Sequence, residues 1–514
     1  MRGAGTHIGR RAGRALLLAL CTLATPARAD EAPGPATPGE AAAPSEAVDT
    51  PSETLDAETA PEFVDPTFGP RYVIERIEVR GNAHTKASLI LDQLDEAGMR
   101  PGTAVGAADA RVEAARYRLL ALGHFLDARL SVRRGAQRGG VVLLVEVEER
   151  GSIVVNELFP STSAATRFWG GADLSETNFL GRGINLGGGF VVSTRPVVPG
   201  AERGLGLRLH TAIPAQRAWG GLGFQATALF NDASDFQRIA GADDDPAPAS
   251  FVAAGTRRAG GIVGANRALP HAWHGSLDLR AEWVRGSLPS LQTRTLPGGV
   301  VTPIDFDIHE GASRIATATA TLDYDTRSDP VLPRGGARAV ASLEISAPGL
   351  SSYSFAKALV QASFYAKMPH GHALGVHLLA GAAFGDPAYF DEFFIGDLNP
   401  LLPRRALGIN FSTLSSRNFL GTTIARHRYD NYAGRVLVEY AIPVWRRRGL
   451  VYGGDLFAAA GVLGLASDGD FDTPGPFRAR DLPIDLTADL GLRLDTYVGI
   501  FTISIANALS RSSF

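Results

Sequence analysis

The chain has 514 residues, 45% of them apolar and 20% charged, with a formal net charge of −3. That length accommodates two or three domains, or a small domain and one large barrel. The near-neutral balance excludes a nucleic-acid binder, which needs a basic surface. Only Lys86, Lys357 and Lys367 among the 50 basic residues are lysines, a bias that codon usage explains as well as phosphate recognition does.

Residues 1–29 read as a secretory signal peptide. Arg2, Arg10, Arg11 and Arg14 form its positive region, Ala15 to Ala24 its short apolar core, and Ala27-Arg28-Ala29 a small-x-small cleavage site. The single cysteine, Cys21, follows Leu20, which is too bulky for the usual lipoprotein cleavage pattern. A chain cleaved before Asp30 therefore has no thiol for catalysis or disulfides. Beyond this leader no stretch approaches the ~18 to 20 apolar residues of a membrane-spanning helix. A periplasmic or secreted protein, or an outer-membrane β-barrel, remains.

Residues 30–70 contain no Lys or Arg and are dense in Pro, Ala and Glu. Such a segment cannot bury enough apolar surface to offset its ordering entropy, so a disordered acidic linker is expected. Residues 71–150 read as a small α+β domain. "YVIERIEVR" predicts a strand ending at Gly81, Thr85 a cap for a helix over Ala87 to Leu94, and "DARVEAARYRLLAL" a second helix closed by Gly123. "FLDARLSVRR" and "VVLLVEVEE" predict two further strands, giving one sheet with a face covered by two helices.

From Ile153 to Phe514 no helical period appears. Segments such as "INLGGGFVVS", "SLDLRAEWV" and "RIATATATLDYD" alternate between small or polar residues and Leu, Val, Phe or Tyr. Their lengths suit strands that cross a bilayer at a tilt, which take ~9 to 11 residues. A soluble β-sandwich alternates in the same way, but an exported, cysteine-free run of strands this long favours a mainly β chain with a transmembrane antiparallel barrel. An even strand count near 16 is expected. "GIFTISIANALSRSSF" closes the chain with Phe501, Ile503 and Ile505 on one face and Phe514 last, the pattern of a closing strand.

Four motifs in order carry a resemblance. "DLSETNFLGRG" (Asp173 to Gly183) resembles the first-strand and turn motif of the BamA/TamA outer-membrane assembly superfamily, also called the bacterial surface antigen family. "LDYDTRSDPVLPRGG" (Leu322 to Gly336) is similar to its mid-barrel signature, and "DLGLRLDTYVGIFTISIANAL" (Asp489 to Leu509) to its C-terminal hairpin. Residues 71–150, with "VRGN", "AGMRPG" and "LLALGHF", resemble one polypeptide-transport-associated (POTRA) domain. The same turns need no function to explain them, since Pro330, Pro333 and Gly335-Gly336 suffice for a hairpin.

The resemblance implies that Phe393 to Gly421 is a long extracellular loop folded back into the lumen. The family's Arg-Gly-aromatic tip is reduced here to Arg405-Ala406-Leu407 or Arg404-Arg405-Ala406. Glu439 matches the family's inward acid and is the expected partner of the loop arginine. A second family acid falls at Ala459, where Asp455 on the same strand face is the substitute. The first barrel strand is expected at "RFWGGADL". Gly170 and Gly171 would weaken its pairing, and together with Phe501, Ile503 and Phe514 they would mark the seam between first and last strands.

The acidic clusters Asp243 to Asp245 and Asp468 to Asp472 read as solvated loops, and His370-Gly-His372 lacks further metal ligands. No nucleophile motif is present, so neither an enzyme nor a cofactor is expected. The expected partners are the outer-membrane bilayer of a Gram-negative bacterium, nascent outer-membrane or secreted proteins, and periplasmic lipoproteins or chaperones. The resemblance implies an assembly or translocation factor; a dedicated two-partner secretion pore and a client-free channel or structural barrel are the alternatives.

Overall fold

In a computed structural model, the structure describes residues 72–509 except 107–108, 217–218, 241–246, 296–297, 330, 400–403, 414–428, 447–448 and 468–483. The leader, the acidic linker, both acidic clusters and Phe514 therefore lie outside the described residues.

The small unit runs β1 (Tyr72–Arg80), α1 (Ala87–Glu96), β2 (Ala104–Val105), α2 (Ala110–Ala121), β3 (Phe125–Arg134) and β4 (Gly140–Glu149). Its sheet order is β2-β1-β4-β3, with β1 parallel to β4 and β3 antiparallel to it. Ile74, Ile90, Leu94, Leu119, Leu143 and Val145 form a core, each no more than 1% exposed. Burying such a side chain contributes about 1.5–3 kcal/mol relative to leaving it in water. Asp109 caps α2 by accepting from the Arg111 amide. Thr85 does not cap α1. Lys86 occupies that position without a side-chain bond, and the Thr85 hydroxyl instead accepts from Asn178 Nδ2 at 2.8 Å.

Fifteen strands form the second sheet. In chain order these are β5 (Ile153–Leu158), β6 (Trp169–Phe179), β7 (Ile184–Ser193), β8 (Leu205–Gln216), β9 (Leu222–Arg238), β10 (Phe251–Ala268) and β11 (Trp273–Ser287). After the small outer hairpin β12 (Thr293–Thr295) and β13 (Val301–Pro303) come β14 (Gly311–Asp325), β15 (Gly336–Ser346), β16 (Ser354–Lys367) and β17 (Ala373–Asp386). A folded-in loop holds β18 (Phe393–Phe394), α3 (Ile395–Leu398) and β19 (Tyr429–Asp430). Then follow β20 (Tyr432–Arg446), β21 (Val451–Ala466), β22 (Ile484–Thr496) and β23 (Gly499–Ala508). Every neighbour in the large sheet is antiparallel and sequential, from β5 at one edge to β23 at the other.

The sheet curls into a nearly closed barrel, and its alternation sorts side chains by face. On β11, Leu277, Leu279 and Trp283 are exposed outward, while Glu282 and Val284 are buried inward. On β23 the outward set includes Ile503 and Ile505. An apolar exterior around a polar interior is the reverse of a soluble protein and matches a wall solvated by hydrocarbon. β9 and β10 extend over 17 and 18 residues, beyond the ~9–11 that a bilayer requires, so their outer halves rise past the apolar band.

Two expectations are corrected. The described strands of the barrel sheet number 15, an odd count one short of the expected even number near 16. The first strand is β5, a six-residue run that precedes "RFWGGADL", so Gly170 and Gly171 lie on the second strand. Gly171 pairs with Val191 of β7, and a Cβ there would stand 1.9 Å from the Phe190 carbonyl oxygen. These glycines permit close strand approach inside the sheet and do not mark its edge.

Candidate functional site: a lumenal loop beside an incompletely paired seam

The loop between β17 and β20 crosses the lumen and is fastened to opposite walls. Phe390 lies 3.8 Å from the Arg258 guanidinium on β10, and Asp391 accepts from Arg280 on β11 at 2.7 Å. Lys357 on β16 donates to the Asp391 carbonyl at 2.6 Å and sits over the Phe393 ring. Arg435 on β20 donates to the Leu398 carbonyl at 2.6 Å. On the far side, Asn231 donates to the Leu407 carbonyl, Asn410 donates to Asp235, and Phe411 stacks on Trp169 at 5.3 Å. Buried hydrophobics Trp169, Val191, Ala406, Ile409 and Phe411 form one cluster at that contact. The described part of the loop thus spans the barrel interior on apolar contacts and side-chain hydrogen bonds to both walls, as a buried irregular segment requires.

Arg405 is locked, though not where the sequence placed it. Its guanidinium binds Asp397 of the same loop at 2.8 and 2.5 Å and donates to the Phe390 carbonyl at 2.9 Å. Phe394 and Tyr429 flank it, each ring centre 5.6 Å away. Glu439 faces the lumen as expected, yet its partner is Arg493 of β22, at 3.0 and 2.7 Å. Asp455 also faces inward and pairs with Arg334. Arg404 is half exposed, with Glu157 3.7 Å away. The expected Arg405–Glu439 and Arg405–Asp455 pairs are therefore not formed: a nearer carboxylate on the loop satisfies Arg405, and wall arginines satisfy the wall acids.

Wall residues outside the expected set carry much of this network. Asp173, the first residue of "DLSETNFLGRG", is fully buried and accepts from Arg208 (3.0 and 2.7 Å) and Asn156 (2.6 Å), with His210 Nε2 at 3.2 Å. Glu282 on β11 joins Arg258 on the neighbouring β10 and Arg280 two residues back on its own strand. In "LDYDTRSDPVLPRGG", Asp325 binds Arg327 two residues on, at the entry to the turn, and Asp329 accepts from the Val331 and Leu332 amides. Arg334 then reaches Asp455 across the inner mouth. Asp173 and Glu282 sit on inward faces of strands, and a charge at such a position is the signal that could have found them; the residues of the β14–β15 turn carry no such strand signal.

At the seam, no ladder joins β5 to β23 among the described residues. The Val155 amide donates to the Val498 carbonyl at 2.7 Å, and Arg150 binds Asp495 of β22 at 2.6 Å. Both links lie at the inner end. Phe501 and Ile503 lie on β23, the edge strand, with Ile503 68% exposed.

The small unit docks at this same inner end. Lys86 donates its amide to the Gly181 carbonyl at 2.8 Å, and Glu149 holds the His84 and Thr85 amides. Gly181 has φ +69, and a Cβ there would meet the His84 carbonyl at 2.1 Å. Beside the contact, His124 is buried with its pKa lowered to about 4; burial is the main cause, partly offset by Glu176 and Glu149.

Fold and site together define a membrane-type antiparallel β-barrel plugged by its own loop and joined to a small α+β unit. Solved structures of like fold include CdiB from Escherichia coli, at 12% identity, TM-score 0.54, covering 85% of this chain and 73% of that one. BamA from Haemophilus ducreyi lacking POTRA domains 1–3 aligns at 14% identity and TM-score 0.46, over 86% and 82% of the two chains. CdiB from Acinetobacter baumannii aligns at 11% identity and TM-score 0.47, over 85% and 74%. No family model and no curated protein sequence matches the chain.

Proposed function

We propose that the chain is an outer-membrane assembly or translocation factor whose small periplasmic unit is a single POTRA domain. The observation that carries this reading is the combination of a lumen crossed by a folded-in loop with an edge strand, β23, that pairs with β22 on one side and, among the described residues, has no ladder on the other. Unpaired backbone in hydrocarbon costs several kcal/mol per group, so such an edge favours accepting a strand. A pure pore would need an open lumen and a zipped wall. In the small unit, β3 is an edge strand and would receive extended client segments by strand addition. No nucleotide site is present among the motifs, so client folding would supply the energy.

The test is the outer-membrane proteome after depletion. Broad loss of barrel proteins supports general assembly, and loss of one exported protein supports the second reading, a dedicated secretion pore, which the CdiB-like fold favours. An unchanged proteome overturns client handling and leaves a channel or structural barrel.

A further inference from the structure

The outer wall of β10, β11 and β14 carries more charge than contact with acyl chains requires. On β10 the outward residues between Arg257 and Arg267 are Ala259, Gly261, Val263 and Ala265. At ~3.3 Å per residue and a tilt of ~40°, the two arginines stand ~25 Å apart along the membrane normal, the height of the apolar band. Near Arg267, at the small-unit end, Trp273 packs on Tyr324 at 5.0 Å. At the far end Trp283 is the matching aromatic.

Just past that girdle, Arg257 and Arg285 are register partners, and Arg314 is the register partner of Trp283. All three are exposed. Asp232 binds Arg257 at 2.8 and 2.6 Å. Among the described residues, the side chains of Arg285 and Arg314 have no hydrogen-bond or ion-pair partner. Like charges facing each other across a ladder repel, and a bound anion removes that repulsion. Beside the arginines opens a cleft of about 570 Å³, lined in part by Arg257, Arg285, Asp232, Glu202, Phe251 and Leu288. Glu202 and the exposed Glu310, bridged to Gly286, border the patch, and Asp232 is taken up by Arg257, so Arg285 and Arg314 are the guanidiniums free to meet an anion.

We propose that this patch binds a phosphorylated saccharolipid of the outer leaflet. Its phosphates sit on Arg285 and Arg314, where a planar guanidinium offers paired donors. The sugar enters the cleft, and the acyl chains run down the Trp283 and Val263 wall. The small unit marks the opposite, inner side, so the anion belongs to the outer leaflet. The inference rests on the outer-membrane reading, though not on client handling.

The experiment is native mass spectrometry of the full chain folded in detergent, with bisphosphorylated lipid A as the probe. The expected result is retention of lipid A by the wild type and by the inner-end control Arg267→Gln. Arg285→Gln/Arg314→Gln should weaken it about tenfold or more, and Arg314→Gln alone should weaken it less. Dephosphorylated lipid A and phosphatidylglycerol should bind poorly. Equal retention of either lipid, or unchanged binding by the double variant, overturns the site. A gel shift between heated and unheated samples checks that each variant folds. Insertion of the wild type into phosphatidylcholine vesicles tests the membrane reading separately, because a chain that inserts yet ignores lipid A loses the site and keeps the barrel.

Discussion

Arg493 and Glu439 bind each other across an intervening strand, although neither is the other's register neighbour. Glu439 stands opposite Ala459, and Arg493 opposite Asp455. The small side chain at Ala459 leaves the space over which the arginine reaches, with Phe457 below its guanidinium at 5.0 Å. The acid that the resemblance implied at 459 would fill that space.

Glu439→Gln should therefore destabilise the barrel by about 1–3 kcal/mol, because it strands a largely buried guanidinium. The double variant Glu439→Leu/Arg493→Leu should lose less than the sum of the single changes. Urea midpoints of the heat-sensitive folded band measure both. Additive losses would show that the pair is not coupled.

Asp397→Asn and Arg405→Ala should each loosen the lumenal loop without unfolding the wall, since among the described residues the Arg405 guanidinium bonds to loop groups, Asp397 and the Phe390 carbonyl. Planar-bilayer recordings should show larger and more frequent openings than in the wild type. Trp169→Ala should do the same from the opposite wall, where it removes the stack on Phe411. Unchanged conductance in all three would mean that the loop does not limit passage.

His124 links pH to docking of the small unit. Its depressed pKa means that the folded state keeps the ring neutral, so its stability is complete above the ordinary histidine value near 6.5. That stability is lost as pH falls through the window toward about 4, by about 3 kcal/mol in full. Protease protection of residues 72–150 should weaken between pH 6.5 and 4, and His124→Phe should flatten the profile. A flat wild-type profile would refute the coupling.

Gly181→Ala should push the barrel turn off the small unit. The left-handed φ alone costs about 1 kcal/mol or more for a residue with a Cβ, and the added carbon collides with the His84 carbonyl. Faster amide exchange at Lys86, with the barrel core unaffected, is the expected readout.

Much of this architecture was legible because membrane strands alternate and the small unit punctuates its elements with Gly81, Gly98 and Gly123, all at positive φ. Strand β5 escaped notice because "IVVNEL" is too short to show a period. The inward face of Glu439 followed from the family resemblance and that of Asp455 from strand parity with Ala459. Their partners did not, since Arg493 and Arg334 are 54 and 121 residues away in sequence; strand register across β21 brings Arg493 to Glu439, and the curl of the sheet brings Arg334 to Asp455. Arg405 was misassigned for a related reason: a carboxylate eight residues back on the same loop, Asp397, outcompetes any on the wall.

The fifteen barrel strands among the described residues also make a statement about parity. With every adjacent pair antiparallel, the two edge strands, β5 and β23, point the same way, both leaving the small-unit end. Zipping them directly would demand a parallel ladder, whose slanted bonds are slightly weaker per residue. One inserted strand running the other way would pair antiparallel with both. The barrel's geometry therefore discriminates between odd and even additions, and a single returning strand completes it without a mismatch.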